Sequence, residues 1–404
     1  MTPELDVADP VFRADPYPTY SRLRKTLPVA AVQRKMVGKA WILTRYEDVV
    51  NALKDPRLAN SRHHAVGGKN PSEQWWMPRL FRTFQKNMVA SDAADHRRLR
   101  DLVHKAFTPR RVEELEGTVE RIVNRLLDDA ERKGSVELLS DFAAPLALTI
   151  ISEMMGVPEE ERPKFRRWTF KLMDSKLETP LDFIRRLPSA NKMLRFFRAL
   201  IRLRREHPSE DLLTALVQAE EQGDRLSEEE LVSMVFLLLL AGHDTLVNLI
   251  GNGTLALLQN PDQLQKLREN PELIGSAVEE LLRYTNPIEA PTPRFAREDI
   301  ELHGQLIPRG SMVVPLMASA NRDETVFENP DTLDITRHPN RHVAFGLGSH
   351  YCMGAPLARL EGKIALLTLV QRFPAMRLAV PEEQLRWRGL FGPRGLKSLP
   401  LHLV

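Results

Sequence analysis

The spacing of apolar residues changes period along this chain. Between Val29 and Thr44 (VAAVQRKMVGKAWILT), β-rich flanks surround a Gly-containing centre, the pattern of a hairpin. The next segment, RYEDVVNALKD, spaces its apolar residues helically. From Pro109 to about Gln259 the helical period dominates. Beyond Asn286 come Pro-rich turns and short strand-like runs, DIELHG and QLIPRGSMVVPL. After these the chain runs through a Gly-rich loop, a further long helix opening APLARLEGKIALL and some terminal strand-like pieces. No repeat, low-complexity tract or Gly/Ser linker divides the chain, so the expectation is one large domain over residues 1–404, mainly α with small β-sheets.

The helix starting near Ser227 is the best specified element. Ser227 and Glu230 form an S-x-x-E capping box, Leu226 and Leu231 are placed for a hydrophobic staple, and Pro261 marks the far end. Unbroken to Gln259 it would run roughly 50 Å, so its middle is expected to be deeply buried. That middle reads Ala241-Gly242-His243-Asp244-Thr245, small and polar residues where propensity and desolvation both favour leucine. A function must require them.

Composition narrows the class without naming it. Hydrophobic residues are 43% and charged residues 27% of 404, an ordinary globular balance, and the single cysteine excludes an internal disulfide. The start MTPELDVADPVF lacks the layout of a signal peptide, and the longest apolar run, MVFLLLLA, is short of a membrane span; both point to the cytoplasm with no transmembrane segment. The net charge of +3 is unevenly spread: from Arg162 to Arg205 there are 14 Lys and Arg against three acids, so the remainder is net acidic.

The sole cysteine, Cys352, lies in FGLGSHYCMG, directly before a helix. A lone cysteine is ordinarily a small buried hydrophobe. Here, however, Gly346, Gly348 and Gly354 permit tight turns and close backbone approach, and the N-terminus of the next helix favours an anion. Such surroundings favour a thiolate, which serves as nucleophile or metal ligand. A thiol hydrolase pairing Cys352 with His350 as base is one alternative, although two residues on one loop make an awkward pair.

F-G-x-G-x-H-x-C-x-G, met by Phe345, Gly346, Gly348, His350, Cys352 and Gly354, resembles the haem-binding signature of the cytochromes P450. The resemblance extends over nearly the whole chain and is closest to the soluble bacterial members. It implies the P450 fold, with haem b (iron protoporphyrin IX) held between the long central helix and the cysteine loop, and Cys352 as the proximal iron ligand. Ala241, Asp244 and Thr245 then match the oxygen-binding A-G-x-D-T segment, in which the small pair makes room for dioxygen while acid and alcohol deliver protons. Glu280 and Arg283 match E-x-x-R, which props up the cysteine loop. The third partner normally comes from a P-E-R-F-like segment that here reads Pro330-Asp331-Thr332-Leu333-Asp334, leaving Arg337 as the substitute. His96, Arg100, Arg294 and His350 match the haem-propionate donors, while Arg97 and Arg98 read as a solvated basic face.

By the same resemblance the substrate pocket is lined by the Gln74–Met77 segment with Trp75 and Trp76, by Leu237, Leu240 and Ala241, and by Ile288 to Thr292. Most of these are apolar, implying a hydrophobic substrate. Glu289 either anchors an amine or faces solvent. The basic 162–205 stretch falls where the family carries its two lid helices, and reads either as wet helix faces or as a dock for an anionic partner: a carrier protein, a fatty carboxylate or a lipid headgroup. No recognition motif for nucleic acid accompanies the charge. Since no flavin or nicotinamide domain fits beside the haem domain, a ferredoxin-type donor is expected to supply electrons, docking near Lys105, Arg110 and Arg111. The overall expectation is a monomeric haem-thiolate monooxygenase. The competing class is a non-catalytic haem-thiolate protein for electron transfer or gas sensing, which needs no proton relay.

Overall fold

The structure, a computed structural model, describes residues 9–34, 38–67, 87–173, 180–221, 227–389 and 391–404. Trp75, Trp76 and the rest of the Gln74–Met77 segment lie outside them, as does Leu226. The chain is mainly helical and divides into two compact units: residues 1–68, 115–146 and 244–404, and residues 69–114 and 147–243.

In the first unit the expected hairpin forms: Val29–Arg34 pairs antiparallel with Gly38–Leu43. Gly38–Leu43 pairs parallel with Met312–Pro315, which continues through Arg294–Ala296 to Leu58–Ala59, making a five-stranded sheet. One face packs on helix Tyr46–Lys54 through Trp41, Leu43, Val49, Leu53 and Val313. Helix Ala355–Arg372 packs against Ile274–Thr285 and Glu116–Lys133. Arg372 ties it to the last of these by ion pairs with Asp128 (2.5 Å) and Glu131. A three-stranded sheet joins Ser135–Glu137, Pro400–His402 and Arg377–Leu378.

The second unit is helical. Arg162–Met173 packs on Pro180–Glu206 through Phe165, Trp168, Phe196 and Phe197, and Phe197 meets Phe236 edge-on at 6.0 Å. Arg204 anchors the C-terminal end of the Pro180–Glu206 helix by pairing with Asp211 and donating to Gly156 O at 2.6 Å.

The long helix spans Glu228–Gln259, and its capping box forms as the pattern predicts. Ser227 N donates to Glu230 Oε2 at 2.8 Å and Glu230 N donates to Ser227 Oγ at 3.2 Å. Arg98 is drawn in as well: its guanidinium lies 2.5 Å from Glu230 Oε1, so it is not the solvated cation its neighbourhood suggests. By length and composition this helix could cross a membrane, but 61% of its most apolar window is buried inside the protein, as in a core helix.

The middle of the long helix departs from expectation. Met234, Val235, Leu239, His243, Leu246 and Val247 are buried, but Leu240 and Ala241 are exposed and Leu237, Gly242, Asp244 and Thr245 only half-buried. Positions 237, 240, 241, 244 and 245 share one helix face, so this side is open while the opposite side is core.

Candidate functional site

The cysteine loop is shaped by its glycines. Gly346 and Gly348 have φ of +68° and +69°, left-handed values that a side chain rarely tolerates, and a Cβ on Gly348 would sit 3.4 Å from Leu53 O. Cys352 N donates to Phe345 O at 2.9 Å, closing the loop, and Gly354 then caps helix Ala355–Arg372 with Pro356 in its first turn. The thiol is exposed, which removes the reading of Cys352 as a buried hydrophobe. A Cβ on Gly354 would touch Sγ at 3.8 Å, so glycine there keeps one side of the sulfur clear. Beside the loop, His350 Nε2 lies 2.5 Å from Asn60 Nδ2.

Two adjacent carboxylates on helix Ile274–Thr285 brace this loop. Glu280 and Arg283 have no exposure and form a fork-to-fork pair, Nε to Oε2 at 2.7 Å and Nη2 to Oε1 at 2.8 Å. The remaining Arg283 donors reach Asn321 O, Pro330 O and Thr332 O, so its five N–H groups are all satisfied. Arg337 Nε lies 3.1 Å from both oxygens of Glu280, filling the place that the altered 330–334 segment leaves open, and Asp334 N and Asn340 Nδ2 also donate to it.

Glu279, which sequence reasoning passed over, faces the other way. It accepts from Arg359 at 2.6 and 2.9 Å and lies 3.0 Å from His342 Nε2, joining the helix after the cysteine loop to the irregular segment that enters the loop. Arg359 stacks over Phe345 at 4.6 Å. Desolvation pushes the Glu279 carboxyl up, but hydrogen bonds from Arg359 and His342 outweigh it and hold it down at about 2. The doublet Glu279-Glu280 was the available signal: neighbours on a helix point about 100° apart, so they serve different partners.

On the long helix, Asp244 Oδ1 is 3.4 Å from Arg388 Nη2, which also reaches Asn248 Oδ1 at 3.3 Å, so the acid is held by a cation from strand Trp387–Arg388. Gly242 serves packing: a Cβ there would meet Ile151 Cδ1 at 3.0 Å. His96 is 4% exposed and Arg100, one turn on along helix Ala93–Ala106, half-buried. Arg294 is buried in its strand. Cys352, His350, Arg294, Glu280, Arg283, Asp244 and Thr245 thus belong to the first unit, and His96, Arg100, Leu237, Leu240 and Ala241 to the second.

The 288–292 segment is mixed. Thr292 is exposed and Ile288 packs on the sheet core. Glu289 corrects the expectation of solvent: it is fully buried, accepting from Phe391 N at 2.8 Å with Arg394 Nε 3.3 Å from its other oxygen. Desolvation dominates there and raises its pKa. With its charge met by Arg394, it is a structural buried pair within this unit.

Comparison with known proteins gives the family. The cytochrome P450 family model matches residues 164–388, more than half of the chain. The polyketide biosynthesis cytochrome P450 PksS of Bacillus subtilis is 44% identical over 402 residues, covering 97% of this chain and 96% of that protein, and its solved structure superposes with a TM-score of 0.89. The 6-deoxyerythronolide B hydroxylase of Saccharopolyspora erythraea is 40% identical across the full length of both. A P450BioI crystal structure in complex with hexadec-9Z-enoic acid ligated acyl carrier protein has a TM-score of 0.86 at 40% identity, covering 97% of this chain and 99% of that one. The chain belongs to the cytochrome P450 family and has its fold. It is an enzyme of the monooxygenase class that binds haem.

Replacing Glu280 by Gln leaves Arg283 and Arg337 buried without their counter-charge, and should destabilise the protein by about 3–5 kcal/mol. A urea midpoint unchanged in Glu280→Gln would contradict this. For Glu279 the folded pKa is depressed, so its stabilisation is present above its ordinary value of 4.5 and is lost as pH falls toward about 2. Between pH 5 and about 2 the parent should therefore lose more stability than Glu279→Gln; parallel acid-unfolding curves would refute the assignment.

Proposed function

We propose that the chain is a haem-thiolate monooxygenase that takes a hydrophobic acyl or polyketide-like substrate, free or borne on a carrier protein. It works in the cytoplasm as a single haem domain with electrons from a separate ferredoxin. Haem b would be the cofactor, held through the sulfur of Cys352. The observation that carries this reading is an exposed thiol on a glycine-built loop at a helix N-terminus, braced from beneath by Glu279 and Glu280. The donors of the first unit fit a large planar group: the loop offers sulfur with little side-chain bulk around it, and Arg294 and His350 are donors suited to propionates, to which the family motif adds His96 and Arg100.

When bound, haem would supply dioxygen activation, in which two electrons from the ferredoxin and two protons reduce one oxygen atom to water and the other enters a C–H or double bond of the substrate. The chain's part is to fix the sulfur and to supply protons. Thr245 would hydrogen-bond the dioxygen and pass it a proton from its hydroxyl, and Asp244, positioned by Arg388, would replenish that proton. The open face of the long helix, Leu237, Leu240 and Ala241, offers apolar contact for the substrate, and the pairing of Asp244 with Thr245 favours oxygenation over simple electron transfer. Carrier-borne and polyketide substrates are suggested by the relatives, one crystallised with an acyl-loaded carrier protein and one named for polyketide biosynthesis. For docking of an acidic ferredoxin the reading offers Arg110, which is exposed with Nε 3.1 Å from Glu114 Oε1, and the half-buried Arg111; the Lys105 side chain lies outside the described residues.

A ferrous carbon monoxide difference spectrum tests the ligand: the parent should show the red-shifted Soret band of thiolate-ligated haem and Cys352→His should lose it. A parent that takes up no haem, or a variant with the same band, defeats the reading. For the proton path, Thr245→Ala should divert most reducing equivalents to hydrogen peroxide while substrate affinity changes little. Undiminished coupling of electrons to product would rule out proton delivery by that hydroxyl.

A further inference from the structure

The charge excess of residues 162–205 resolves into an ordered row in the second unit. The antiparallel register of Arg162–Met173 and Pro180–Glu206 is set by Phe165 against Phe196 and Phe197, and by Arg186 Nη1 donating to Leu172 O at 2.9 Å. On the second helix Lys192, Arg195 and Arg202 are exposed, and their spacing places them along one side, opposite the buried Met193, Phe197, Leu200 and Ile201. On the first helix Arg167 and Lys171, one turn apart, are exposed too, and they lie between Phe165 and Leu172, the positions that meet Phe196, Phe197 and Arg186 of the second helix.

Four other cations of the pair meet carboxylates. Arg162 meets Glu153 at 3.2 Å, Lys164 meets Glu161 at 2.7 Å, Arg198 lies 3.7 Å from Glu228, and Arg204 pairs with Asp211. Arg167, Lys171, Lys192, Arg195 and Arg202 have no carboxylate partner among the described residues. Like charges at helix spacing repel, so the row works against its own helices unless something external neutralises it. A lipid surface fits poorly: among the described residues of the pair, Leu203 is the sole large apolar side chain that is exposed, too little to insert. The row suits a rigid, acidic protein helix laid along it.

We propose that Arg167, Lys171, Lys192, Arg195 and Arg202 form the docking face for an acidic acyl carrier protein that presents the hydrophobic substrate as a thioester. This rests on the carrier-borne substrate proposed above and adds the surface that selects the loaded carrier over the free acid. Rim charges of this type act on association and specificity, so their removal weakens capture of the carrier and leaves recognition of the acyl chain intact.

The test uses the haem-loaded full chain, an acyl carrier protein charged with hexadec-9Z-enoic acid, and free hexadec-9Z-enoic acid. Carrier affinity should fall at least about tenfold between ~0.05 and ~0.5 M salt. The triple reversal Lys192→Glu, Arg195→Glu, Arg202→Glu should lower it by about 30-fold or more, and the triple Gln variant by an intermediate factor. Free-acid binding, read from the Soret shift, should move by less than about twofold in either variant, which also reports an intact fold. Salt-independent binding, undetectable carrier binding by the parent, or equal losses for carrier and free acid would each overturn the proposal. So would co-sedimentation with phosphatidylglycerol vesicles in place of carrier binding, which would give the surface to lipid. Failure of the oxygenase reading is seen separately, as absence of the thiolate-type carbon monoxide band.

Discussion

Glu280 has no contact with water, yet it is a carboxylate shared between the guanidiniums of Arg283 and Arg337. Desolvating these ions is expensive, and the arrangement persists because the oxygens also accept from Asp334 N and Asn340 Nδ2 while every Arg283 donor finds an oxygen. The network joins helix Ile274–Thr285 to the irregular 321–340 segment. It thereby gives a stretch with little regular secondary structure a defined path toward the loop that carries Cys352. Glu279, on the adjoining face of the same helix, extends the support to His342 and Arg359. A thiol on a loop can be held to a fraction of an ångström only if the loop is anchored by packed elements, and these two carboxylates provide the anchor.

The parts of this design legible in the sequence were those governed by local rules. The Ser227–Glu230 box forms as written, because both partners lie within four residues and their geometry derives from helix termini alone. The hairpin at Val29–Leu43 and the helix after Gly354 are likewise local. The replacement of the missing arginine by Arg337 was also readable, since one cation stood close downstream of an altered segment.

Long-range partners were less accessible. Arg98 reads as one of three cations in DHRRLR, and nothing nearby in sequence says that it meets Glu230, 132 positions away. Glu289 lies just after a proline near apolar residues and reads as a rim residue; only the fold delivers Arg394 and Phe391 N to neutralise it. The burial of the long helix was legible in part, since Met234, Leu239, Leu246 and Val247 are core while its other side is not. Length predicts that a helix crosses the core, but which of its faces is covered depends on what packs there.

The same helix shows how structural and chemical demands are divided among neighbouring residues. Gly242 is required by Ile151, since any side chain would press on that methyl, while Ala241 and Asp244, one position to either side of the Gly242-His243 pair, point away from this contact onto the open face. A 3.6-residue period makes the separation possible: packing occupies one side of the cylinder and leaves the other free for polar chemistry. Arg388 then reaches Asp244 from a separate strand and restrains the one carboxylate on that face. The Asp244–Arg388 contact, 3.4 Å long and half-buried, is looser than the fully buried Glu280–Arg283 fork at 2.7 Å, so the chain fixes the carboxylate on the open face less tightly than the one that anchors its loop.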